Sequence, residues 1–183
     1  MIAPAPSSDN FLRTIASTAD CFRSRRIPYA IIGAWALAVW GRPRATQDLD
    51  FLVMVKDLQP VKTAMARGGM TLDDAWLHHN PMLRGWQARA KKQGITVDIL
   101  RARDSHDSQI FKRRRRKRLA NRYFWFVAPE DFILQKLKVG RPKDFEDAMA
   151  VLERSGRLLD RGYLARWASR LSITEELNYV LSR

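Results

Sequence analysis

Apolar residues recur along the chain with two different periods, and these periods divide it into predicted helices and strands. Near the start they recur every three or four residues, as on the buried side of an α-helix, and Ser8 or Asp9 is available as the N-cap. The clearest strand is Leu49 to Val55, where every second residue is apolar, so that Asp48 and Asp50 share the other face. The same patterns predict strands over residues 29–32, 82–88, 95–100 and 121–127, and helices over 34–40, 58–66, 129–139, 145–155, 163–170 and 174–181.

The order of these elements sets the expected fold class. Strands and helices alternate up to residue 127, whereas residues 128–183 are helical. The sequence shows neither an internal repeat nor a long linker. It therefore predicts an α/β fold, with a core over residues 1–127 and a helical C-terminal extension over residues 128–183 that packs on the same domain.

Composition narrows the classes of partner. The 183 residues include 33 Lys and Arg against 19 Asp and Glu, a net charge of +14, and 46% of them are hydrophobic. The apolar content excludes an intrinsically disordered chain, and the charge favours an anionic partner such as nucleic acid, nucleotide phosphates or an acidic membrane surface. Cys21 is the only cysteine, which excludes a disulfide framework and a thiolate metal site.

Two features of the sequence concern its compartment. Residues 1–10 lack the charged-then-apolar pattern of a signal peptide. The longest apolar stretch, residues 29–41, has 13 residues, whereas a membrane-spanning helix needs about 20. We therefore expect a soluble, cytoplasmic protein with no membrane role.

Three aspartates are candidate metal ligands. Asp48 and Asp50 lie two residues apart on one strand, and Asp98 lies on another short strand whose opposite face is apolar. Together they could hold two divalent metal ions for phosphoryl transfer, because Mg²⁺ takes hard oxygen ligands. The D-x-D pattern by itself is weak, since the chain contains 14 Asp and about one such pair is expected by chance.

Gly33 joins a predicted strand to the helix from Ala34 to Trp40. A glycine at this point lets a phosphate approach the backbone, and the helix N-terminus offers free N–H groups to it. The alternative is a tight turn that needs a small residue, and for a lone glycine that interpretation is favoured.

Taken in order, these motifs resemble a known signature. That signature comprises a hydrophobic residue with Gly-Gly or Gly-Ser, a short helix, D-x-D or D-x-E, and a later Asp on a neighbouring strand. Ile32-Gly33-Ala34, the segment 41–50 and Asp98 are similar to it, and the signature belongs to the DNA polymerase beta-type nucleotidyltransferase superfamily. Residues 128–137 and 140–147 resemble the helical part of a small prokaryotic branch that contains the AbiEii-type toxin nucleotidyltransferases.

The resemblance implies a minimal nucleotidyltransferase fold with a mixed β-sheet flanked by helices. It also implies an enzyme that transfers a nucleoside monophosphate from an NTP, with Mg²⁺ or Mn²⁺ as cofactor. In this family Asp48 and Asp50 would bind both ions, and Asp98 would ligate the ion that activates the acceptor hydroxyl. Ala34 stands where the family has Gly or Ser, so a hydroxyl contact to the phosphate is lost. The nucleotide-binding residues implied are Gly33, Ala34, Arg44, Thr46, Lys136, Arg141, Lys143 and Asp144, with Lys136 also counted as catalytic.

A run of seven positive charges is the strongest local charge in the chain. It comprises Lys112, Arg113, Arg114, Arg115, Arg116, Lys117 and Arg118, and we call it the basic run. Such a run is either a solvated surface or a site that follows a nucleic-acid backbone. The aromatic residues Tyr123, Phe124 and Trp125 either stack bases or pack in the core, and core packing is favoured.

Three functional hypotheses follow from these features. The leading one is nucleotidyl transfer to an RNA such as tRNA, as the toxin of a toxin–antitoxin pair whose antitoxin is a protein partner. The second is transfer to a protein or to a small molecule such as an antibiotic, although a cationic antibiotic would need acidic residues and this chain is strongly basic. The third is a non-catalytic RNA-binding protein on the same scaffold.

Overall fold

The computed structural model describes residues 7–183. Residues 1–6, which belong to the stretch 1–10 without a signal-peptide pattern, lie outside the described residues. Its residues group into two units, one of residues 7–31 and 46–126 and the other of residues 32–45 and 127–183. The strands are β1 Tyr29–Ile31, β2 Asp48–Val53, β3 Thr71–Leu72, β4 Gln87–Lys92, β5 Ile95–Arg101, β6 Arg115–Leu119 and β7 Arg122–Phe126. The helices are α1 Ser8–Ser24, α2 Gly33–Trp40, α3 Gln59–Arg67, α4 Asp74–His79, α5 Ser105–Arg113, α6 Pro129–Val139, α7 Pro142–Ser155, α8 Arg161–Arg170 and α9 Thr174–Leu181.

The first unit is built on a seven-stranded sheet in the order β3-β4-β5-β2-β1-β7-β6. β2 pairs with β5 and β1 pairs with β7 in parallel, and the other neighbours are antiparallel. The sheet is therefore mixed, and helices flank it. The predicted α/β class with helices at the C-terminus is confirmed.

Helix α1 supplies the apolar layer on one face of this sheet. The ring of Phe22 lies 5.6 Å from that of Phe51 and 5.7 Å from that of Tyr29, measured between ring centroids. The helix begins at Ser8, because the Oγ atom of Ser7 accepts a hydrogen bond from the backbone N–H of Asn10. The cap is thus Ser7, one residue before Ser8 and two before Asp9.

Strand β2 keeps the predicted alternation. Leu49, Phe51 and Val53 are fully buried on the α1 side of the sheet, which leaves Asp48 and Asp50 on the opposite face. The strand ends at Val53, two residues before the predicted end at Val55. The buried side fixes the register, since a slip of one residue would place the apolar set on the other face.

The strand predicted over residues 82–88 is wrong. Residues 81–83 form a 3₁₀ turn, and the strand at this place is β4, four to five residues further on. It pairs with β5 through a hairpin whose two loop residues, Gln93 and Gly94, both have positive φ angles of 50° and 76°. That conformation suits the tight turns that connect twisted antiparallel strands, so the hairpin and not the apolar run 82–88 sets the register.

The second half of the basic run is a strand, which the sequence did not predict. Lys112 and Arg113 end helix α5, and Arg115 to Arg118 belong to β6 at one edge of the sheet. Positive charge suits the C-terminal end of a helix, and it also keeps an edge strand from pairing with another chain. The short elements β3 and α4 were likewise not predicted.

The second unit consists of α2 and the C-terminal helices. Helix α6 buries Phe132, Ile133 and Leu137, and it ends at Gly140, whose φ of 73° lies in the left-handed region. The end of α2 is tied to the C-terminal part by Trp40, whose Nε1–H donates to the carbonyl oxygen of Val127 at 2.8 Å. Within residues 7–183, none of the helices combines the length and apolar character needed to cross a membrane.

The aromatic contacts beneath the sheet give a first prediction. Replacing Phe22 with Ala should lower the free energy of unfolding by about 3–5 kcal/mol, because a fully buried ring leaves a cavity between α1 and the sheet. Urea denaturation of the full chain measures this value. The control is Met82→Ala, since Met82 is 88% exposed and the change should stay within about 0.5 kcal/mol. A similar loss in both variants would contradict the packing described.

Candidate active site

Asp48 and Asp50 lie at the start of β2, on the sheet face opposite α1. Asp48 is exposed and Asp50 is half-buried. The strand starts here because the Thr46 hydroxyl donates to the Asp48 carbonyl oxygen at 3.2 Å and accepts from the Asp48 N–H at 3.3 Å. Thr46, predicted to contact the phosphates, therefore orders the backbone that carries Asp48.

The parallel pairing of β2 with β5 brings the third aspartate beside the other two. Asp50 is the register partner of Asp98, and Asp48 is the partner of Thr96. Residues in register on neighbouring strands lie about 4.8 Å apart and point to the same face. The sheet thus places the three carboxylates on one face, as the sequence predicts.

Asp98 is engaged by a residue that the sequence did not single out. Its two carboxylate oxygens accept hydrogen bonds from the Nε and Nη2 atoms of Arg89, at 2.7 and 2.8 Å, and Asp98 is only 5% exposed. The hydrogen bonds to Asp98 raise the pKa of the Arg89 guanidinium, and the nearby charge of Asp48 contributes further. Arg89 also lies over the ring of Trp76, 3.9 Å from its centroid.

These contacts test how well the carboxylates fit a metal ion. Asp48 and Asp50 offer the hard oxygen donors that Mg²⁺ takes. Asp98 gives both of its oxygens to Arg89, so a metal ion at Asp98 would compete with that ion pair. In the part of the chain that the structure describes, no group of three or more His, Cys, Asp or Glu side chains is arranged to hold a metal ion.

In the second unit, Gly33 opens helix α2. Its φ of 63° lies in the left-handed region, where a side chain would be strained, so a glycine is needed at this turn. The preceding residue, Ile32, is extended and provides no side-chain cap to the helix. A helix N-terminus of this kind suits an anion, and Ala34 in its first turn is buried.

Lys136 lies at the centre of an ion-pair network in the same unit. Its Nζ atom is 2.9 Å from the carboxylate of Asp144 and 2.7 Å from that of Asp147, and both acids are almost fully buried. Arg44 forms two hydrogen bonds with Asp147, at 3.1 and 3.2 Å, and Arg141 donates to Asp144 at 2.7 Å. The chain of five charges runs from Arg44 to Arg141 and carries a net charge of +1.

Half of the eight predicted nucleotide-binding residues belong to this network. It unites four of them, Arg44, Lys136, Arg141 and Asp144, around Asp147, whereas Lys143 is exposed at the start of α7. Burial is the largest influence on Asp144 and opposes its ionisation. The hydrogen bonds from Arg141 and Lys136 outweigh it, so the pKa of Asp144 is lowered.

The basic run divides between the two faces of the sheet edge. In the hairpin of β6 with β7, Arg116 pairs with Trp125 and Arg118 with Tyr123, whereas Lys117 pairs with Phe124. Phe124 is buried on the α1 side, as core packing predicts, but Tyr123 is 52% exposed on the other face. Only one side of β7, the strand with the aromatic residues, therefore packs in the core.

Reasoning from the sequence missed Arg89, and it placed Asp147 in the segment that resembles the family without giving it a role. Arg89 falls just beyond the strand predicted over 82–88, so its alignment with Asp98 required the true register of β4. Asp147 lies three residues after Asp144, the helical spacing that puts two side chains on one face. That spacing was the available signal.

Comparison with solved structures identifies the architecture. The antibiotic-resistance factor ANT(2″)-Ia is 13% identical with a TM-score of 0.61, over 94% of this chain and 99% of that one. The lincosamide antibiotic adenylyltransferase LnuA is 12% identical with a TM-score of 0.55, over 81% of this chain and 98% of that one. A nucleotidyltransferase-like protein from Paracoccidioides brasiliensis is 16% identical with a TM-score of 0.56, over 96% of this chain and 94% of that one.

The chain has the nucleotidyltransferase fold. No protein-family model matches its sequence, and a comparison with curated proteins finds no match either. The nucleotidyltransferase fold is thus recognised in the coordinates and not in overall sequence similarity.

The ion-pair network gives a second prediction. Lys136→Met should lower the free energy of unfolding by about 3–5 kcal/mol, because it leaves two buried carboxylates without their shared cation. Urea denaturation measures the change. Arg42→Met is the matched control, since Arg42 pairs with Glu153 on the surface of the same unit and such pairs contribute about 1 kcal/mol or less. Equal losses in the two variants would contradict the central place of Lys136.

The lowered pKa of Asp144 gives a third prediction, on acid stability. Because the folded-state pKa lies below the unfolded value of about 3.9, the stabilisation is complete above that value and is lost as the pH falls through the folded value. Asp144→Asn should therefore show a weaker loss of stability than the unaltered chain as the pH falls below about 4. Glu175→Gln, at an exposed acid in the first turn of α9, controls for lost charge. Parallel pH curves for Asp144→Asn and the unaltered chain would contradict the assignment.

Proposed function

We propose that this protein is a metal-dependent nucleotidyltransferase that transfers a nucleoside monophosphate from an NTP to a hydroxyl group of RNA. The observation that carries the proposal is the pairing of β2 with β5 within a nucleotidyltransferase fold, since it puts Asp48, Asp50 and Asp98 on one sheet face. The structural neighbours, which include an adenylyltransferase, support an enzyme of this class.

In the proposed reaction, the acceptor hydroxyl oxygen bonds to the α-phosphorus of the NTP. The bond from that phosphorus to the bridging oxygen breaks, pyrophosphate leaves with the electron pair, and the hydroxyl proton passes to a general base. Divalent metal ions would neutralise the developing charge and position the phosphates. Asp48 and Asp50 would hold them, and Asp98 would join after release from Arg89.

The uncapped start of α2 is the proposed contact for the triphosphate. A helix N-terminus and the Gly33 turn suit an anion, and Ala34 keeps the backbone donor while lacking a hydroxyl. The family resemblance assigns a nucleotide contact to Lys136 as well. Its two ion pairs indicate a positioning role, in which Lys136 holds α6 and α7 together through Asp144 and Asp147.

RNA is the proposed acceptor because of charge. The net charge of +14 and the exposed residues of β6 favour a polyanion. A toxin role extends this proposal, since modification of an RNA such as tRNA would arrest growth until a protein antitoxin bound the enzyme. Cytoplasmic location would follow from an RNA acceptor of that kind.

Transfer to an antibiotic is the second candidate. ANT(2″)-Ia is also known in complex with adenylyl-2″-tobramycin, and LnuA was solved with lincomycin bound. These bound molecules are findings on ANT(2″)-Ia and LnuA and not on this chain. A cationic aminoglycoside would meet repulsion from a chain with 33 Lys and Arg against 19 Asp and Glu, so RNA is favoured.

A labelling experiment tests the function and separates the acceptors. The full chain is incubated with Mg²⁺ and each α-labelled NTP, in turn with bulk RNA, cell protein, tobramycin and lincomycin. We expect label in RNA, and the variant Asp48→Asn/Asp50→Asn should reduce it by more than about 100-fold, since even outer-shell partners of metal ligands contribute about 10–100-fold.

Asp9→Asn is the matched control, because Asp9 is an exposed acid in the first turn of α1, and it should leave the rate unchanged. Carboxylate-dependent label in protein or antibiotic would replace the acceptor and keep the reaction. Tight RNA binding with no label from any NTP would favour the non-catalytic RNA-binding protein and contradict the enzyme.

A further inference from the structure

A cavity of about 400 Å³ lies in the first unit, at the N-terminal end of β1, beside the connection from α1. Its volume is within the range of small-molecule sites, which is about 300–1,000 Å³. We call it the arginine pocket. Its lining residues come from the α1–β1 connection and from the β6–β7 hairpin: Arg23, Arg26, Ile27, Pro28, Tyr29, Arg114, Arg116, Tyr123 and Trp125.

The pocket is strongly positive. Four of its nine lining residues are arginines, and among the residues that the structure describes no carboxylate lines it. Arg23 is partly neutralised, because its Nη1 atom lies 2.8 Å from the carboxylate of Asp20 just outside the lining. A bound anion would therefore meet more positive charge than the protein itself balances.

Arg114 is the arginine held most firmly in this pocket. It is half-buried, its Nη1–H donates to the carbonyl oxygen of Tyr29 at 3.2 Å, and its guanidinium lies 4.6 Å from the ring centroid of Trp125. Burial lowers the pKa of Arg114 below its ordinary value, so its surroundings disfavour the charged form. An anion in the pocket would offset that cost.

Arg116 is held in the same manner by the neighbouring aromatic residue. Its guanidinium lies 4.8 Å from the ring centroid of Tyr123, which is itself 52% exposed. Stacked guanidinium groups keep their planar N–H donors in a fixed orientation, which suits bidentate contacts with phosphate oxygens. The open surface of the aromatic rings beside them suits a nucleobase.

We propose that the arginine pocket binds a nucleoside monophosphate unit, with its phosphate on Arg114 and Arg116 and its base against Tyr123 and Trp125. This unit is either one residue of an RNA strand or a free nucleotide. Binding of an RNA strand in the pocket rests on the proposed function, whereas binding of a free nucleotide does not.

The pocket is separate from the candidate active site. The sheet register places Trp125 on the same face as Asp50, two strands and two residues away, which corresponds to about 12 Å at ordinary strand spacing. Since β1 lies between them, a ligand in the pocket need not touch the carboxylates. An RNA strand held there would share the sheet face on which the aspartates lie.

Binding measurements with the full chain test this inference. Fluorescence anisotropy is recorded with a labelled single-stranded RNA of mixed sequence and with a labelled mononucleotide, for the unaltered chain and three variants. Arg116→Ala should weaken binding by about tenfold and reduce the salt slope by about 1. Tyr123→Ala should weaken binding by about fivefold without changing the slope, because it removes a base contact and no charge.

Arg115→Ala is the matched control. Arg115 is a neighbouring exposed arginine of the same strand, but it pairs with Phe126 and points to the other face of the sheet. It should change the affinity by less than about twofold. Equal losses for Arg115→Ala and Arg116→Ala would mean that only overall charge matters and would overturn the proposal, as would unchanged binding in Arg116→Ala and Tyr123→Ala.

The two probes separate the sources of the ligand and the two proposals. RNA binding that depends on Arg116 and Tyr123, with no mononucleotide binding, assigns the pocket to a strand; the reverse assigns it to a free nucleotide. If binding depends on Arg116 and Tyr123 while no label is transferred by the unaltered chain, the pocket stands and the enzyme does not.

Discussion

The arrangement of the candidate site depends on one constraint, which is the parallel pairing of β2 with β5 under a buried apolar layer. Leu49, Phe51 and Val53 must face α1, because a shift of one residue would expose all three and bury the acids. The same register that satisfies the core therefore sets Asp50 beside Asp98. The same strand register therefore fixes both the packing of the core and the placement of the carboxylates.

Charge is balanced differently in the two units. In the first, Asp98 is held by Arg89, while Arg114 and Arg116 are stacked on aromatic rings without a carboxylate in their pocket. In the second, the buried acids Asp144 and Asp147 are matched by cations in a closed network. The arginine pocket therefore holds oriented positive charge that no lining carboxylate balances, and an anionic ligand would balance it.

The edge strand β6 shows how one sequence feature can serve two purposes. Its basic residues discourage pairing with another chain, which an open sheet edge would otherwise favour. Alternation along the strand also directs Arg116 and Arg118 to the face that carries the carboxylates, while Arg115 and Lys117 point to the other. Side chains of the basic run therefore have different surroundings, and within the run Arg114 and Arg116 line the arginine pocket.

The sequence by itself determined the α/β class, the alternation along β2 that puts Asp48 and Asp50 on one face, and the Gly33 turn, because these follow from local periodicity and backbone preference. Register and pairing were decided only by the tertiary structure. Arg89 reaches Asp98 through a hairpin whose turn residues set the register, and Lys136 of α6 pairs with both Asp144 and Asp147 of α7. The sequence pattern determines on which face of a strand or helix a side chain lies. Its contact partner depends on which strands and helices from distant parts of the chain pack against that face.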